Sequence, residues 1–85
     1  MNLKFITFEP DYTQFIVNTE TDANAIKQAI EANLTYDNYD EEFEKDIRDK
    51  SNYNVEDIDS MNFLADIINR NDLIGVYNGV IVLNG

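Results

Sequence analysis

The residues best suited to chemistry in this sequence are carboxylates, and one segment holds most of them. Ten of the 17 acidic side chains lie between residues 37 and 59, where the only basic residues are Lys45, Arg48 and Lys50. Carboxylates serve proteins as general acids and bases, as ligands for hard cations, and as docking groups for basic surfaces. The neighbouring residue types and their spacing decide among these three uses.

Catalysis by paired carboxylates requires two of them to face each other across a cleft. The sequence contains no His and no Cys, so it has neither an imidazole base nor a thiolate nucleophile. Its glycines, Gly75, Gly79 and Gly85, form no phosphate-binding pattern. We also expect a domain of this size to have little room for a cleft of ~300 Å³. The sequence therefore predicts no catalytic residues and a protein that is not an enzyme.

Metal binding by these carboxylates would require a calcium-loop spacing with a central glycine and a closing glutamate. The run Asp57-Ile58-Asp59-Ser60 has only the first two alternating acids of such a loop, and the run Asp37-Asn38-Tyr39-Asp40 has no glycine. Both runs are instead typical of helix starts. We therefore predict neither a metal site nor a cofactor.

Docking to a basic surface is the use that the acid-rich segment favours. On a helix, Glu42, Asp46 and Asp49 would lie at i, i+4 and i+7 along one flank. Such a row repels itself by roughly 0.2–0.5 kcal/mol per pair, a cost that a basic partner would remove. The alternative is a solvated helix face that keeps the protein soluble. With nearby tyrosines as apolar anchors, the predicted partner-binding residues are Tyr36, Asp37, Asp40, Glu41, Glu42, Asp46, Asp49, Tyr53, Glu56 and Asp57.

Several of these acids also have local roles open to them. Asp37 and Asp40 stand where side chains cap the first turn of a helix. The favourable acid-first order at i, i+4 predicts ion pairs within the same helix. The predicted pairs are Glu41–Lys45, Glu44–Arg48 and Asp46–Lys50.

The elements that must position these residues follow from hydrophobic periodicity and turn chemistry. Residues 3–8 and 13–18 predict two strands joined by a turn at Pro10, and residues 73–77 and 80–84 predict a type I′ hairpin around Asn78-Gly79. Between the hairpins we expect three helices, from Thr21-Asp22 to about Leu34, from residues 37–40 to about residue 50, and from Val55 or Asp59 to Arg70. The order is ββαααββ. We expect one α+β domain over residues 1–85, with a four-stranded, mostly antiparallel sheet covered on one face by the helices.

The spacing of apolar residues predicts which faces are buried. The third helix has the widest apolar stripe and is expected to be the most buried of the three. One face of the C-terminal hairpin should join the core, and the opposite face is also apolar, which would support a homodimer if nothing covers it. The predicted buried faces are Ala23, Ile26, Ile30 and Leu34 in the first helix, Tyr39, Phe43 and Ile47 in the second, and Ile74, Val76, Ile81 and Leu83 in the hairpin, whose opposite face is Leu73, Tyr77, Val80 and Val82.

The net charge of −11 restricts the partners that this sequence can attract. It repels nucleic acid and anionic membrane surfaces, and the six basic residues are scattered. The first ten residues do not form a signal peptide, and no apolar run approaches the ~18 residues of a membrane span. We therefore expect a cytoplasmic protein whose partner is a basic, nucleic-acid-binding protein.

Size, absence of Cys and the tyrosine-rich acidic run from Tyr36 to Glu44, YDNYDEEFE, give the sequence a family resemblance. It resembles the small acidic inhibitors made by phages and mobile elements, among them anti-CRISPR and anti-restriction proteins. The resemblance implies a non-enzymatic inhibitor of a defence nuclease in the host cytoplasm, in some cases acting as a nucleic acid mimic. Two alternatives stay open: an immunity or antitoxin-type inhibitor of a toxic enzyme, and a small oligomerising adaptor domain.

Overall fold

One antiparallel sheet forms the centre of the molecule. The computed structural model describes residues 2–36 and 38–84. The strands are β1 (Leu3–Phe8), β2 (Thr13–Asn18), β3 (Tyr53–Asp57), β4 (Asp72–Tyr77) and β5 (Val80–Asn84), and the helices are α1 (Asp22–Tyr36), α2 (Glu41–Arg48) and α3 (Met61–Arg70). The strands lie in the order β3-β1-β2-β5-β4, and a short 3₁₀ turn, Lys50–Asn52, precedes β3.

The α+β class and the three helices are confirmed, whereas the prediction of a four-stranded sheet is wrong by one strand. Residues 53–57, expected to break one helix and begin the next, form β3 and pair antiparallel with β1, with Tyr53 opposite Phe8 and Asp57 opposite Lys4. The element order is therefore ββααβαββ. The third helix begins at Met61, after Ser60 caps its first turn by accepting a hydrogen bond from the Phe63 N–H at 3.1 Å.

Helices cover both faces of the sheet, where we expected one covered face. The central strands contain unbroken apolar runs, 5–6 in β1, 15–17 in β2 and 80–83 in β5, and such runs are typical of strands buried on both faces. Their side chains alternate between two separate apolar clusters. The cluster under α1 and α2 contains Ile6, Phe8, Phe15, Val17, Val80 and Val82, and the cluster under α3 contains Phe5, Ile16 and Leu83.

The buried faces of two helices differ from the prediction. α1 turns its small residues, Ala25, Ala29 and Ala32, to the sheet, while Ile26 and Ile30 pack at the side of the same cluster. The expected core residue Ala23 is exposed, and α1 continues past Leu34 to Tyr36. α3 is not the most buried helix, because only Ile67 is fully buried and the wide stripe leaves Met61 and Ile68 exposed. The apolar stripe predicted for the second helix packs as expected, with Ile47 buried and Phe43 against the core, although α2 begins at Glu41 and Tyr39 packs on the core from the segment before it.

The C-terminal hairpin has the predicted turn but not the predicted faces. Asn78 and Gly79 both adopt left-handed backbone, with φ of 55° and 77°, as a type I′ turn requires. The opposite face, which we expected to support a homodimer if nothing covers it, is covered in part, because Val80 and Val82 are fully buried and Tyr77 packs on Tyr36, whereas Leu73 is exposed.

Of the four hairpin residues that we expected in the core, only two are buried or partly buried. Leu83 is buried, Ile81 is partly buried, and Ile74 and Val76 are exposed. The pairing of β4 with β5 shifts register between Leu73 and Gly75. This bulge brings Leu73 and Val76 opposite Leu83 and Ile81, on the α3 side of the sheet.

Candidate partner-binding surface

α2 holds the acidic row, and its apolar stripe fixes which way the row faces. Ile47 is fully buried, and the ring of Phe43 packs edge-on against Phe8 with 5.9 Å between centroids. Asp40 caps the helix, as predicted, since its Oδ1 accepts a hydrogen bond from the Phe43 N–H at 2.8 Å. With the stripe held against the sheet, the exposed side of α2 presents Glu41, Glu42 and Asp46, together with the basic residues Lys45 and Arg48.

Among the described residues, the carboxylates of this exposed side form no ion pair. Of the three predicted ion pairs, Glu44–Arg48 forms at 2.8 Å. The other two are wrong, because neither Lys45 nor Lys50 takes part in any ion pair between described residues. α2 ends at Arg48, so Lys50 belongs to the following 3₁₀ turn and cannot be the i+4 partner of Asp46 on a helix.

One further predicted acid, Asp49, has a structural role beside α2. Asp49 does not continue the row, because it is the C-cap of α2 and lies outside helical geometry, with φ −78° and ψ 108°. Its carboxylate accepts hydrogen bonds from the Ser51 N–H at 3.0 Å and the Ser51 hydroxyl at 2.7 Å. These bonds lower the pKa of Asp49 below its usual value. Asp37 lies outside the described residues.

The two tyrosines predicted as interface anchors both stabilise the interior. Tyr53 is only 6% exposed, and its hydroxyl donates to the Ile47 carbonyl and accepts from Asn33 Nδ2 at 3.2 Å. Burial raises the pKa of Tyr53 far above its usual value. The Tyr36 hydroxyl lies 3.0 Å from Thr13 Oγ1, and its ring is 5.6 Å from that of Tyr77. Tyr53 therefore has little surface to offer a partner.

The two predicted acids on β3 do not extend the row. Asp57 forms an ion pair with Lys4, which also pairs with Asp22 at 3.2 Å. The hydrogen bond to Asp57, with that to Asp22, raises the pKa of Lys4 above its usual value. Glu56 is exposed but lies opposite Phe5, whose side chain belongs to the α3 cluster. Glu56 therefore lies on the face of the sheet opposite to α2.

The turn between β1 and β2 brings an exposed tyrosine, Tyr12, and an acid, Glu9, to the same region, and neither is among the predicted partner-binding residues. The Glu9 N–H donates to the Asn52 carbonyl at 2.9 Å, which holds this turn against the 3₁₀ turn after α2. Tyr12 is 62% exposed, with a left-handed φ of 61°. The signal in the sequence is an aromatic residue in a turn close to two acids, Glu9 and Asp11.

An open groove of about 550 Å³ lies between α1 and the end of α2, and it is larger than we expected for this domain. Its lining includes Lys27, Arg48 and Lys50, half of the basic residues in the sequence, and a single acid, Glu31. The described residues therefore place no pair of carboxylates in this groove. Smaller cavities of about 310 and 220 Å³ lie beside the first turn of α3 and around Lys4.

A metal site would need several acidic side chains close together, and a membrane span would need a long apolar helix. Within residues 2–36 and 38–84, no three acidic side chains are placed to hold a metal ion together. No helix in the described part of the chain has the length and apolar character needed to cross a membrane.

Comparisons with protein-family models, with curated proteins and with solved structures give no significant match. The function is therefore argued from the geometry of this molecule alone. Of the predicted partner-binding residues that are described, the structure brings Asp40, Glu41, Glu42 and Asp46 together on α2. Asp49 follows directly, and the remaining ones lie in the core or on β3. We call Glu41, Glu42 and Asp46 the α2 acidic face.

Proposed function

We propose that this protein is a non-enzymatic inhibitor that binds the basic nucleic-acid-binding surface of a defence nuclease, as anti-CRISPR and anti-restriction proteins do. The observation that supports this proposal best is the α2 acidic face, whose three carboxylates are exposed and unpaired among the described residues. Glu41 and Glu42 lie in the first turn of α2, where acids stabilise the helix dipole without a lysine partner, whereas Asp46 lies beyond that turn. Lys45 lies four residues after Glu41 and forms no ion pair with it.

The spacing of the row is compatible with mimicry of a nucleic acid backbone. Glu42 and Asp46 are four residues apart on α2, which gives a rise of about 6 Å along the helix axis. Adjacent phosphates along one strand of DNA are about 7 Å apart, because each ~3.4 Å of rise is combined with a rotation around the helix axis. A channel whose Lys and Arg side chains are spaced for phosphates can therefore meet both carboxylates at once.

The charge of the whole molecule supports fast association with such a channel. At −11 the protein is attracted to basic surfaces over long range, and this attraction raises association rates by 10-fold to 1000-fold at low salt. Charge steers the encounter, whereas specificity requires apolar contact as well. Tyr12, exposed in the turn that Glu9 holds beside the end of α2, provides that contact.

The test compares two double variants that change the net charge equally. Glu42→Lys/Asp46→Lys reverses the α2 acidic face, and the control Glu20→Lys/Glu31→Lys reverses two exposed acids outside it. Asp49 is left unchanged because it caps the 3₁₀ turn. Each protein is titrated into DNA cleavage by a panel of purified CRISPR effector nucleases and restriction enzymes, and association is followed by surface plasmon resonance.

We expect the wild type to inhibit at least one nuclease in competition with DNA. The α2 double variant should inhibit it roughly 100-fold less well, because each reversal replaces an attraction with a repulsion, a change of about 1.4 kcal/mol. The control should stay within a few-fold of wild type. Equal inhibition by wild type and the α2 double variant would contradict the proposal, as would the absence of inhibition across the panel.

A further inference from the structure

The two edges of the sheet differ sharply in how they are protected. At one edge, β3 presents polar and charged residues, Asn54, Glu56 and Asp57. At the other edge, β4 has a single charged residue, Asp72. Charged side chains and β-bulges are among the means by which proteins prevent an edge strand from pairing with another chain. β4 has a charge only at Asp72 and a bulge between Leu73 and Gly75, and the rest of the strand has no such protection.

The exposed side chains of β4 are large and apolar. Leu73 is 65%, Ile74 40% and Val76 63% exposed, and we call these three residues the β4 patch. The bulge in β4 places Leu73 and Val76 on the same side of the sheet. Ile68, in α3 shortly before β4, is exposed as well. An exposed apolar group beside an unpaired strand edge marks an interaction surface.

Charge argues for a second copy of this chain as the occupant. Residues 61–84 contain only Asp66, Arg70 and Asp72 as charged residues, and Arg70 already pairs with Asp66 at 2.9 Å. The β4 edge therefore offers a basic partner nothing to neutralise, whereas an edge that is nearly neutral and apolar matches itself.

The α2 acidic face does not prevent such self-association. α2 packs over Phe8 of β1, and β1 is three strand spacings from β4 in the sheet. Three spacings are about 14 Å, which exceeds the screening length of about 8 Å at physiological ionic strength. The acids of the α2 acidic face are therefore largely screened at the β4 edge.

We propose that β4 pairs antiparallel with β4 of a second copy about a two-fold axis, which joins two five-stranded sheets into one of ten strands. An axis between Ile74 and Gly75 sets Leu73 opposite Val76 of the second copy, and symmetry repeats this apolar pair. The pairing satisfies backbone groups of both edges, and the β4 patches of the two copies meet on the α3 side. This proposal stands independently of the inhibitor function.

Sedimentation equilibrium tests the proposal with the full chain. Wild type, Val76→Lys and Leu73→Lys are compared with Asn54→Lys, which adds the same charge at the opposite edge. Each is measured from about 1 µM to about 1 mM, a range in which weak dimers are populated. Because these positions are exposed, we expect all variants to fold, and circular dichroism with thermal unfolding checks this for each variant.

We expect wild type and Asn54→Lys to form dimers with similar Kd. Val76→Lys and Leu73→Lys should raise the Kd roughly 10-fold or more, since symmetry counts each lost cross-strand pair twice. A wild-type protein that stays monomeric over the whole range would overturn the proposal. So would a dimer that Asn54→Lys weakens as much as Val76→Lys does. Val76→Thr gives a second comparison. It keeps the branched shape of the side chain, so we expect little effect on folding.

Discussion

Tyr53 joins three elements through one hydroxyl group. It lies on β3, donates to the Ile47 carbonyl of α2 and accepts from the Asn33 amide of α1, while its ring packs 4.9 Å from that of Phe8. These contacts hold α2 in the orientation that exposes Glu42 and Asp46. A tyrosine in the interior therefore determines how an acidic surface is presented.

Replacing Tyr53 with Phe tests this role. The substitution removes the hydroxyl but keeps the ring, and it leaves the Ile47 carbonyl and the Asn33 amide without this partner in the interior. We expect the free energy of unfolding to fall by about 1–3 kcal/mol, measured by urea denaturation. Tyr39→Phe, at a half-buried tyrosine, is the matched control and should change stability less. A loss equal in the two variants would contradict a special role for Tyr53.

Tyr53 also affects how the stability of the folded protein depends on pH. Burial raises the pKa of Tyr53 above its ordinary 10.0, and the hydrogen bond to Asp57 raises that of Lys4 above 10.5. In both cases the folded state holds its proton more tightly than the unfolded state, so stability is fully present below the ordinary pKa and is lost as the pH rises above it. We expect wild-type stability to decline from about pH 10, and Tyr53→Phe to decline less. Parallel pH profiles for the two proteins would exclude Tyr53 as a source of the loss.

At the scale of elements, α2 depends on Asp40 in two ways that a pair of substitutions separates. The carboxylate caps the helix, and its charge also adds to the acids of the surface. Asp40→Asn keeps a good cap and removes the charge, whereas Asp40→Ala removes both. We expect only Asp40→Ala to destabilise the protein, by about 1 kcal/mol in thermal or urea unfolding. Equal destabilisation by both would show that the charge, through the helix dipole, stabilises α2 more than the capping hydrogen bond does.

The elements that the sequence predicted correctly are those determined by nearby residues. Asn78-Gly79 specifies its hairpin through two left-handed residues, and Pro10 lies in the turn that joins β1 to β2. β3 was missed because its pairing with β1 joins segments far apart in the chain, and its five residues contain only two apolar side chains. Local patterns do not contain the information that pairs distant strands.

The same distinction applies to the candidate site. The exposure of Glu42 and Asp46 follows from the stripe of Phe43 and Ile47, which lies on the same short helix. The burial of Tyr53 follows from packing against Asn33 and Phe8, which no spacing within its own segment reveals. Because α2 ends at Arg48, Asp49 does not continue the predicted row. For the same reason, Asp46 and Lys50 do not form the predicted ion pair.

At the scale of the whole molecule, the two proposed surfaces respond to salt in opposite directions. Raising the salt from about 50 to about 200 mM screens the attraction of the α2 acidic face to a basic channel, so that complex should weaken. The same change screens the repulsion between two copies that each carry −11, so the β4 dimer should tighten. Nuclease inhibition and sedimentation, measured in the same buffers, test both expectations: a weaker complex with the nuclease and a tighter β4 dimer at higher salt. A dimer that dissociates with salt would indicate that ionic contacts, rather than the β4 patch, hold it together.

The position of β5 has a consequence for how the molecule folds. β5 lies between β2 and β4, although its residues follow those of the other strands in the sequence. During synthesis, β1 and β2 can pair early, but the free edge of β2 and the edge of β4 that faces β5 stay open until residues 80–84 have emerged. Closure of the sheet then brings together segments that are distant in the chain, which is the slow kind of step in folding. The nascent chain is therefore most prone to aggregation just before β5 emerges. At that stage an apolar strand edge that the folded protein conceals is still exposed.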